Sequence, residues 1–214
     1  MNEAAEGTLP SAASPSCEDR LMADPKIQPR RDEDMNACVD ALAAVHKADG
    51  YPVTWPSDPA RWLTPDGLLE AWAALDGRAA LGHLAITRTS PELARDTGLP
   101  AGQLASVARL FVTPPARRYG VAQALLDTAE AAAAARGLRL VLEVEDGGRA
   151  AVSLYERIGW RHVGTAPGDW TTVDGRTALM HAYLAPVRIP QPRAIRRGGR
   201  TCAATPPGRR WRSP

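Results

Sequence analysis

A chain of 214 residues and 22.9 kDa, 44% hydrophobic and 23% charged, suits one domain of about 150–180 residues with tails. No run approaches the roughly 18 uncharged apolar residues that cross a bilayer, and Glu3, Glu6, Glu18 and Asp19 interrupt the start, so neither a membrane span nor a secretory leader is expected. The net charge of +2 is unevenly spread: eight arginines from Pro186 to Pro214 stand without an acid, leaving 18 basic against 24 acidic residues elsewhere, which disfavours a nucleic-acid-binding core.

Residues 1–24, rich in Ala, Ser, Pro and Glu without apolar periodicity, read as disordered. A short strand is expected at 26–30. Asp32 then offers an N-cap, and Met35, Cys38, Val39, Leu42 and Val45 recur at helical spacing up to Gly50. Four prolines with Trp55 and Trp62 make 51–65 a loop, with room for one short helix at 58–63. Asp76-Gly77 joins strands at 69–75 and 79–88 as a hairpin. Residues 89–104 read as a surface insertion with its own turns. A strand at 106–113 stops at Pro114-Pro115, and a helix follows over 117–136 with Val121, Leu125, Thr128, Ala129 and Ala132 on one face and Gly137 as its stop. Leu138, Leu140, Leu142 and Val144 alternate as a strand. A second helix covers 149–158, and strands at 160–166 and 177–185 surround a polar loop.

Helices interleaved with strands imply an α/β domain over residues 25–185: a mixed, mostly antiparallel sheet with helices on both faces. Residues 186–214 form a disordered basic tail. RNA or anionic lipid could bind such a tail, but it has one aromatic, Trp211, and no helical periodicity, so a solvated tail is the expectation. Cys17, Cys38 and Cys202 are too few and too scattered for a disulfide framework or a zinc site, and a reducing, cytoplasmic setting follows. No metal is expected.

The most informative segment runs from Ala108 to Ala122. A strand that breaks at Pro114-Pro115 and re-enters as a helix through Gly120 leaves backbone N–H groups aimed outward at the positive end of a helix dipole, beside Arg117 and Arg118. Such a turn suits phosphate, although on composition alone an ordinary helix start fits equally well. Neither GxxxxGK[ST] nor a strand-borne GxGxxG occurs, which excludes a P-loop and a dinucleotide fingerprint.

Arg117-Arg-Tyr-Gly120-Val-Ala122 resembles the Q/R-x-x-G-x-G/A pyrophosphate signature of the GNAT superfamily of N-acetyltransferases, and Leu110-Phe-Val112-x-Pro114 matches its usual lead-in. Ala151-x-x-Leu154-Tyr155-Glu-Arg-Ile-Gly159-Trp160 resembles the family's A-x-x-L-Y-E-K-x-G-F/W segment. The two occur in the family's order, and the likeness spans residues 26–185. It implies the acyl-CoA N-acyltransferase fold and acetyl-CoA as co-substrate, bound by Leu110, Phe111, Val112, Arg117, Arg118, Tyr119, Gly120, Val121 and Ala122. One position departs: the family often has Asn seven residues before the tyrosine, and here that residue is Gly148.

The resemblance also implies roles. Positioning can supply about 7–11 kcal/mol of the barrier, and one backbone donor to the carbonyl oxygen roughly 3–4 kcal/mol, expected from Phe111 or Val112. Tyr155 stands where the family places its general acid; a packed helix aromatic is the alternative. The amine must lose a proton, and Asp49, Glu70, His83 and Asp169 are each more readily structural than catalytic. Tyr51, Trp55, Asp58, Trp62, Asp169 and Trp170 lie in the loops that by resemblance overhang the acetyl end, where aromatics and carboxylates suit a cationic amine; packing of the loops explains the tryptophans equally. The expectation is acetyl transfer to a primary amine of a small molecule by direct attack in a ternary complex. The alternatives are a protein N-terminal or lysine acetyltransferase and a non-catalytic acyl-CoA-binding sensor. No membrane or nucleic-acid partner is expected; a homodimer is left open.

Overall fold

The structure, a computed structural model, describes residues 25–187 except 173 and 174. The N-terminal extension and the arginines of the basic tail lie outside the described residues. The chain forms β1 (Lys26–Pro29), α1 (Met35–Asp49), α2 (Pro59–Trp62), β2 (Leu68–Asp76), β3 (Ala79–Arg88), α3 (Pro91–Thr97), β4 (Leu104–Val112), α4 (Val121–Ala135), β5 (Arg139–Glu145), α5 (Arg149–Arg157), β6 (Arg161–Thr171) and β7 (Thr177–Leu184). Seven strands make one sheet in the order β1-β2-β3-β4-β5-β7-β6. Every pairing is antiparallel except β4 with β5. Among the described residues no helix is long and apolar enough to cross a membrane.

Alternation along the strands sends side chains to two cores. Leu84, Ile86, Leu140 and Leu142 meet Val121, Leu125, Leu126 and Ala129 of α4 and Tyr155 of α5 on one face. On the other, Ala73, Leu75 and Phe111 meet Cys38, Ala41, Leu42 and Val45 of α1, while Leu104, Val141 and Leu184 meet Leu93 and Ala94 of α3. Each large aliphatic side chain withdrawn fully from water contributes about 1.5–3 kcal/mol.

Several local expectations need correction. Asp32 does not cap α1: a 3-10 turn over Asp32–Asp34 precedes it, and the Asp34 carboxylate accepts the Arg31 backbone N–H at 2.9 Å. Residues 89–104 are no surface insertion, because α3, capped by Ser90 (Leu93 N to Oγ, 3.2 Å), buries Leu93 and Ala94 in the core. The α4 helix begins at Val121, since Gly120 takes the left-handed conformation, and its buried stripe is Val121, Leu125, Leu126, Ala129, Glu130 and Ala133. β6 continues through Thr171, so the polar loop is shorter than expected.

Candidate active site

The sheet is split where the site lies. β4 and β5 pair only at Leu104↔Arg139, Ala105↔Leu140 and Ser106↔Val141, after which the strands diverge. Between them opens a cavity of about 650 Å³, walled by Val107–Leu110 of β4, Leu142–Glu145 of β5, Gly148, Ala151 and Tyr155 from α5, and Asp49–Val53 with Trp62 from the α1–α2 side. A larger hollow, about 850 Å³, lies beside β1 and the β2–β3 turn, remote from these strand ends, with the charged side chains of Arg31, Glu33, Asp40 and Arg78 on its rim.

At the end of β4 the peptide groups have fixed directions. Thr113 N–H donates to Leu81 O of β3 at 2.8 Å, so by strand alternation Phe111 N–H also points to β3. Val112 N–H therefore faces the diverging side. That narrows the expected carbonyl donor to Val112; the Phe111 ring packs on the α1 face, stacked on His83 at 5.5 Å. Gly82 opposite Val112 keeps β3 and β4 close, for a Cβ there would meet Phe111 O at 2.8 Å.

Arg117–Gly120 then turn into α4. Arg118 (φ 70°) and Gly120 (φ 79°) are both left-handed, and no side chain caps the helix start. Arg118, Tyr119 and Gly120 are exposed. First-turn N–H groups of Val121 and Ala122 lack intrahelical acceptors, as in any helix. Arg117 is braced instead: its Nε donates to Val112 O at 3.2 Å and its guanidinium forms a bidentate pair with Asp49. Asp49 is thus engaged, not a free base. The turn thus offers an anion uncapped amides, a helix dipole and the exposed Arg118.

Tyr155 is 6% exposed, lines the cavity, and packs on Trp160 and Tyr183 with ring centroids 5.6 and 5.9 Å away. Burial pushes its phenol well above the ordinary value, so it holds its proton at neutral pH. Gly148 precedes α5 as its N-cap, and a Cβ there would crowd Val144 Cγ2 at 3.0 Å and Glu145 O at 3.1 Å. An asparagine amide at this position therefore requires its neighbours to shift.

Glu70 and His83 are occupied as well. Glu70 pairs with Arg136 at 2.6 Å. His83 is fully buried; its Nδ1 meets Arg109 O at 3.0 Å and its Nε2 the Arg30 guanidinium at 3.0 Å. An arginine beside Nε2 makes Nε2 the acceptor and Nδ1–H the donor. Desolvation lowers this imidazole to about 4.

Of the acceptor-side candidates, Tyr51 and Trp62 line the cavity and meet edge-on at 5.8 Å. Trp55 and Asp58 do not line it. Trp55 packs on His46 at 5.2 Å, and Asp58 is the N-cap of α2, accepting Arg61 N–H at 2.9 Å. A carboxylate before Pro59 satisfies orphan helix amides, which explains its place without a ligand. Asp169 and Trp170 have their backbone in β6; their side chains lie outside the described residues.

Three wall residues escaped the sequence reading. Arg109, with φ 55°, sits in a bulge of β4. Glu143 and Glu145 lie on the β5 face opposite Leu142 and Val144. Glu143 is exposed; partial desolvation and nearby Asp96 raise its carboxyl from the ordinary value. A lone charge within Val107–Val112 and the acids between Leu142 and Glu145 are the signals that could have revealed them.

Residues 38–160 match the family model described as the acetyltransferase (GNAT) family. No curated protein shows significant similarity in sequence. Among solved structures, Arabidopsis thaliana NAA60 in complex with acetyl-CoA is 19% identical, with a TM-score of 0.58 over 74% of this chain and 96% of that one. The ribosomal-protein-S18-alanine N-acetyltransferase of Escherichia coli is 19% identical (TM-score 0.56; 78% and 97% covered). A GCN5-related N-acetyltransferase of Kribbella flavida is 23% identical (TM-score 0.57; 77% and 98% covered). At these identities the structural likeness bears on the fold: a mixed seven-stranded sheet flanked by helices, the acyl-CoA N-acyltransferase architecture. The split sheet, the open turn before α4 and the family model spanning both converge on one statement: the chain belongs to the GNAT acetyltransferase family.

Proposed function

We propose that the domain transfers the acetyl group of acetyl-CoA to the primary amine of a small molecule by direct attack in a ternary complex. The observation that carries this reading is the cavity between β4 and β5, which reaches both strand edges and the loop at Asp49–Val53. Acetyl-CoA supplies an activated acetyl as a thioester. The amides of Gly120, Val121 and Ala122 with Arg118 hold its diphosphate, and Leu110 and Val112 its pantetheine arm; Arg117 braces the turn through Asp49. Val112 N–H is the donor for charge developing on the carbonyl oxygen.

Tyr155 donates to the departing sulfur. Even an ordinary phenol near 10 against a thiol near 8.5 makes complete transfer uphill by about 2 kcal/mol, and burial of Tyr155 adds to that, so a hydrogen bond that tightens as the thiolate forms is the stabilising interaction. Glu143, a carboxylate that lines the same cavity, receives the ammonium proton; its affinity for protons is raised from the ordinary value. Tyr51 and Trp62 line the acceptor end with two aromatic rings in edge contact, which suits a small cationic amine.

Release of CoA thiol in the presence of diverse amines tests the proposal. Turnover with small amines supports it; turnover restricted to peptides replaces it with protein acetylation. CoA binding without any turnover replaces it with a sensor.

A further inference from the structure

Arg109 is a cation placed where a strand interior ordinarily takes an apolar side chain. It is half-buried, and its φ of 55° is a conformation that L side chains adopt at a cost. The bulge is held from both sides: His83 Nδ1–H donates to Arg109 O at 3.0 Å, and Arg109 Nε donates to Trp62 O at 3.1 Å. The guanidinium carbon lies 3.9 Å from the Trp62 ring centroid, and Tyr51 is close enough to act on it electrostatically. Among the described residues no carboxylate pairs with it, in contrast to Arg31, Arg61, Arg117 and Arg136, each of which has an acid. A half-buried guanidinium, oriented by an aromatic plane and one carbonyl, thus belongs to a residue that lines the cavity and keeps donors not used by Trp62 O. Across the cleft stand Glu143 and Glu145 of β5, farther from it than an ion pair allows. The β4 wall thus carries a cation and the β5 wall two carboxylates.

On the basis of the acetyl-transfer reading, we propose that the acceptor is a small amino acid: its carboxylate docks on Arg109 from β4 while its ammonium group faces Glu143 and Glu145 on β5. A guanidinium fork matches a carboxylate bidentately, and the Trp62 plane restricts the fork to one orientation. The anion thereby fixes which way the amine points along the cleft. In the transfer step the amine nitrogen forms a bond to the acetyl carbon as the carbon–sulfur bond breaks; the sulfur leaves with the electron pair and gains a proton, and the amine loses one. Arg109 takes no part in those exchanges and acts on orientation and affinity.

Matched pairs of acceptors test this, each an α-amino acid and the amine left when its carboxylate is deleted: phenylalanine with phenethylamine, leucine with isoamylamine. For the full-length protein kcat/KM is expected to favour the amino acid at least thirtyfold, chiefly through KM. In Arg109→Met that preference falls to near one, and Arg109→Lys retains part of it. Should wild type use both members equally, the anion site is refuted while acetyl transfer stands. Equal loss of both members in Arg109→Met, with the ratio preserved, shows a structural role and refutes the assignment too. No turnover of either member, nor of any amine or peptide in the wider panel, by protein that still retains CoA overturns the transfer reading itself. If Arg109→Met does not fold, competitive inhibition of wild type by N-acetylphenylalanine but not by N-acetylphenethylamine carries the decision; equal inhibition by both refutes the site.

Discussion

Replacing Gly120 by alanine separates backbone strain from ligand contact at the turn before α4. The residue has φ 79° and ψ 0°, and a Cβ added there meets nothing within 4 Å. The penalty is therefore conformational: about 1–2 kcal/mol for an L-residue in this region, less roughly 0.4–1 kcal/mol from the stiffer unfolded chain. A net loss of about 1 kcal/mol lowers Tm by roughly 2–4 °C in a domain of this size. With CoA at a hundred times its Kd, wild type gains about 2.7 kcal/mol; a tenfold weaker grip removes about 1.4 kcal/mol of that gain. Scanning calorimetry with and without CoA should therefore show a small deficit that roughly doubles when CoA is present. Gly77→Ala, at φ 59° in the β2–β3 turn with equally open surroundings, is the control, matching the first deficit and showing no second. If Gly120→Ala keeps the full CoA-induced shift, the main chain at Gly120 does not hold the diphosphate.

Tyr155→Phe keeps the packed ring and removes the hydroxyl; kcat should fall about 100-fold with Tm unchanged within a degree or two, and wild-type kcat would remove the proton-donor role. Gly82→Ala forces a methyl against Phe111 O, a backbone atom 2.8 Å away; destabilisation of about 1–3 kcal/mol in urea is expected together with weaker CoA binding, and normal binding would show that β4 need not keep its position. Folding favours neutral His83, whose folded value of about 4 lies below the unfolded 6.5. Its contribution of about 3 kcal/mol is complete above pH 6.5 and lost as pH falls through 4; an NMR titration of folded protein that protonates His83 near 6.5 refutes this. Trp160→Phe removes the Nε1–H that donates to buried Glu130 Oε1 at 2.9 Å, and denaturant titration should show a loss of about 2–4 kcal/mol.

Sequence patterns foresaw the elements that local chemistry punctuates. Pro114-Pro115 and Gly120 announce the strand end and the left-handed entry to α4, and Leu138 to Val144 alternate as β5 does. What stayed hidden depends on partners distant in sequence. Asp58 is the local exception: the residue type suits an amine ligand and an N-cap alike, and the Arg61 N–H three residues on shows the cap. The turn-rich composition of residues 89–104 conceals that Leu93 and Ala94 find Val141 and Leu184 across the sheet. The bulge at Arg109 needs the His83 and Trp62 contacts, from residues 26 and 47 positions away in the chain. The divergence of β4 from β5 follows from pairing that stops after Ser106.

That short seam has a wider consequence. Three rungs join a four-stranded panel to a three-stranded one, so the gap between them is a standing feature of the backbone and not something a visiting molecule must pry apart. Side chains that project from one panel can be exchanged with little disturbance of the hydrogen-bond ladder in the other. Retargeting such a scaffold thus reduces to redecorating two nearly independent walls, one at a time.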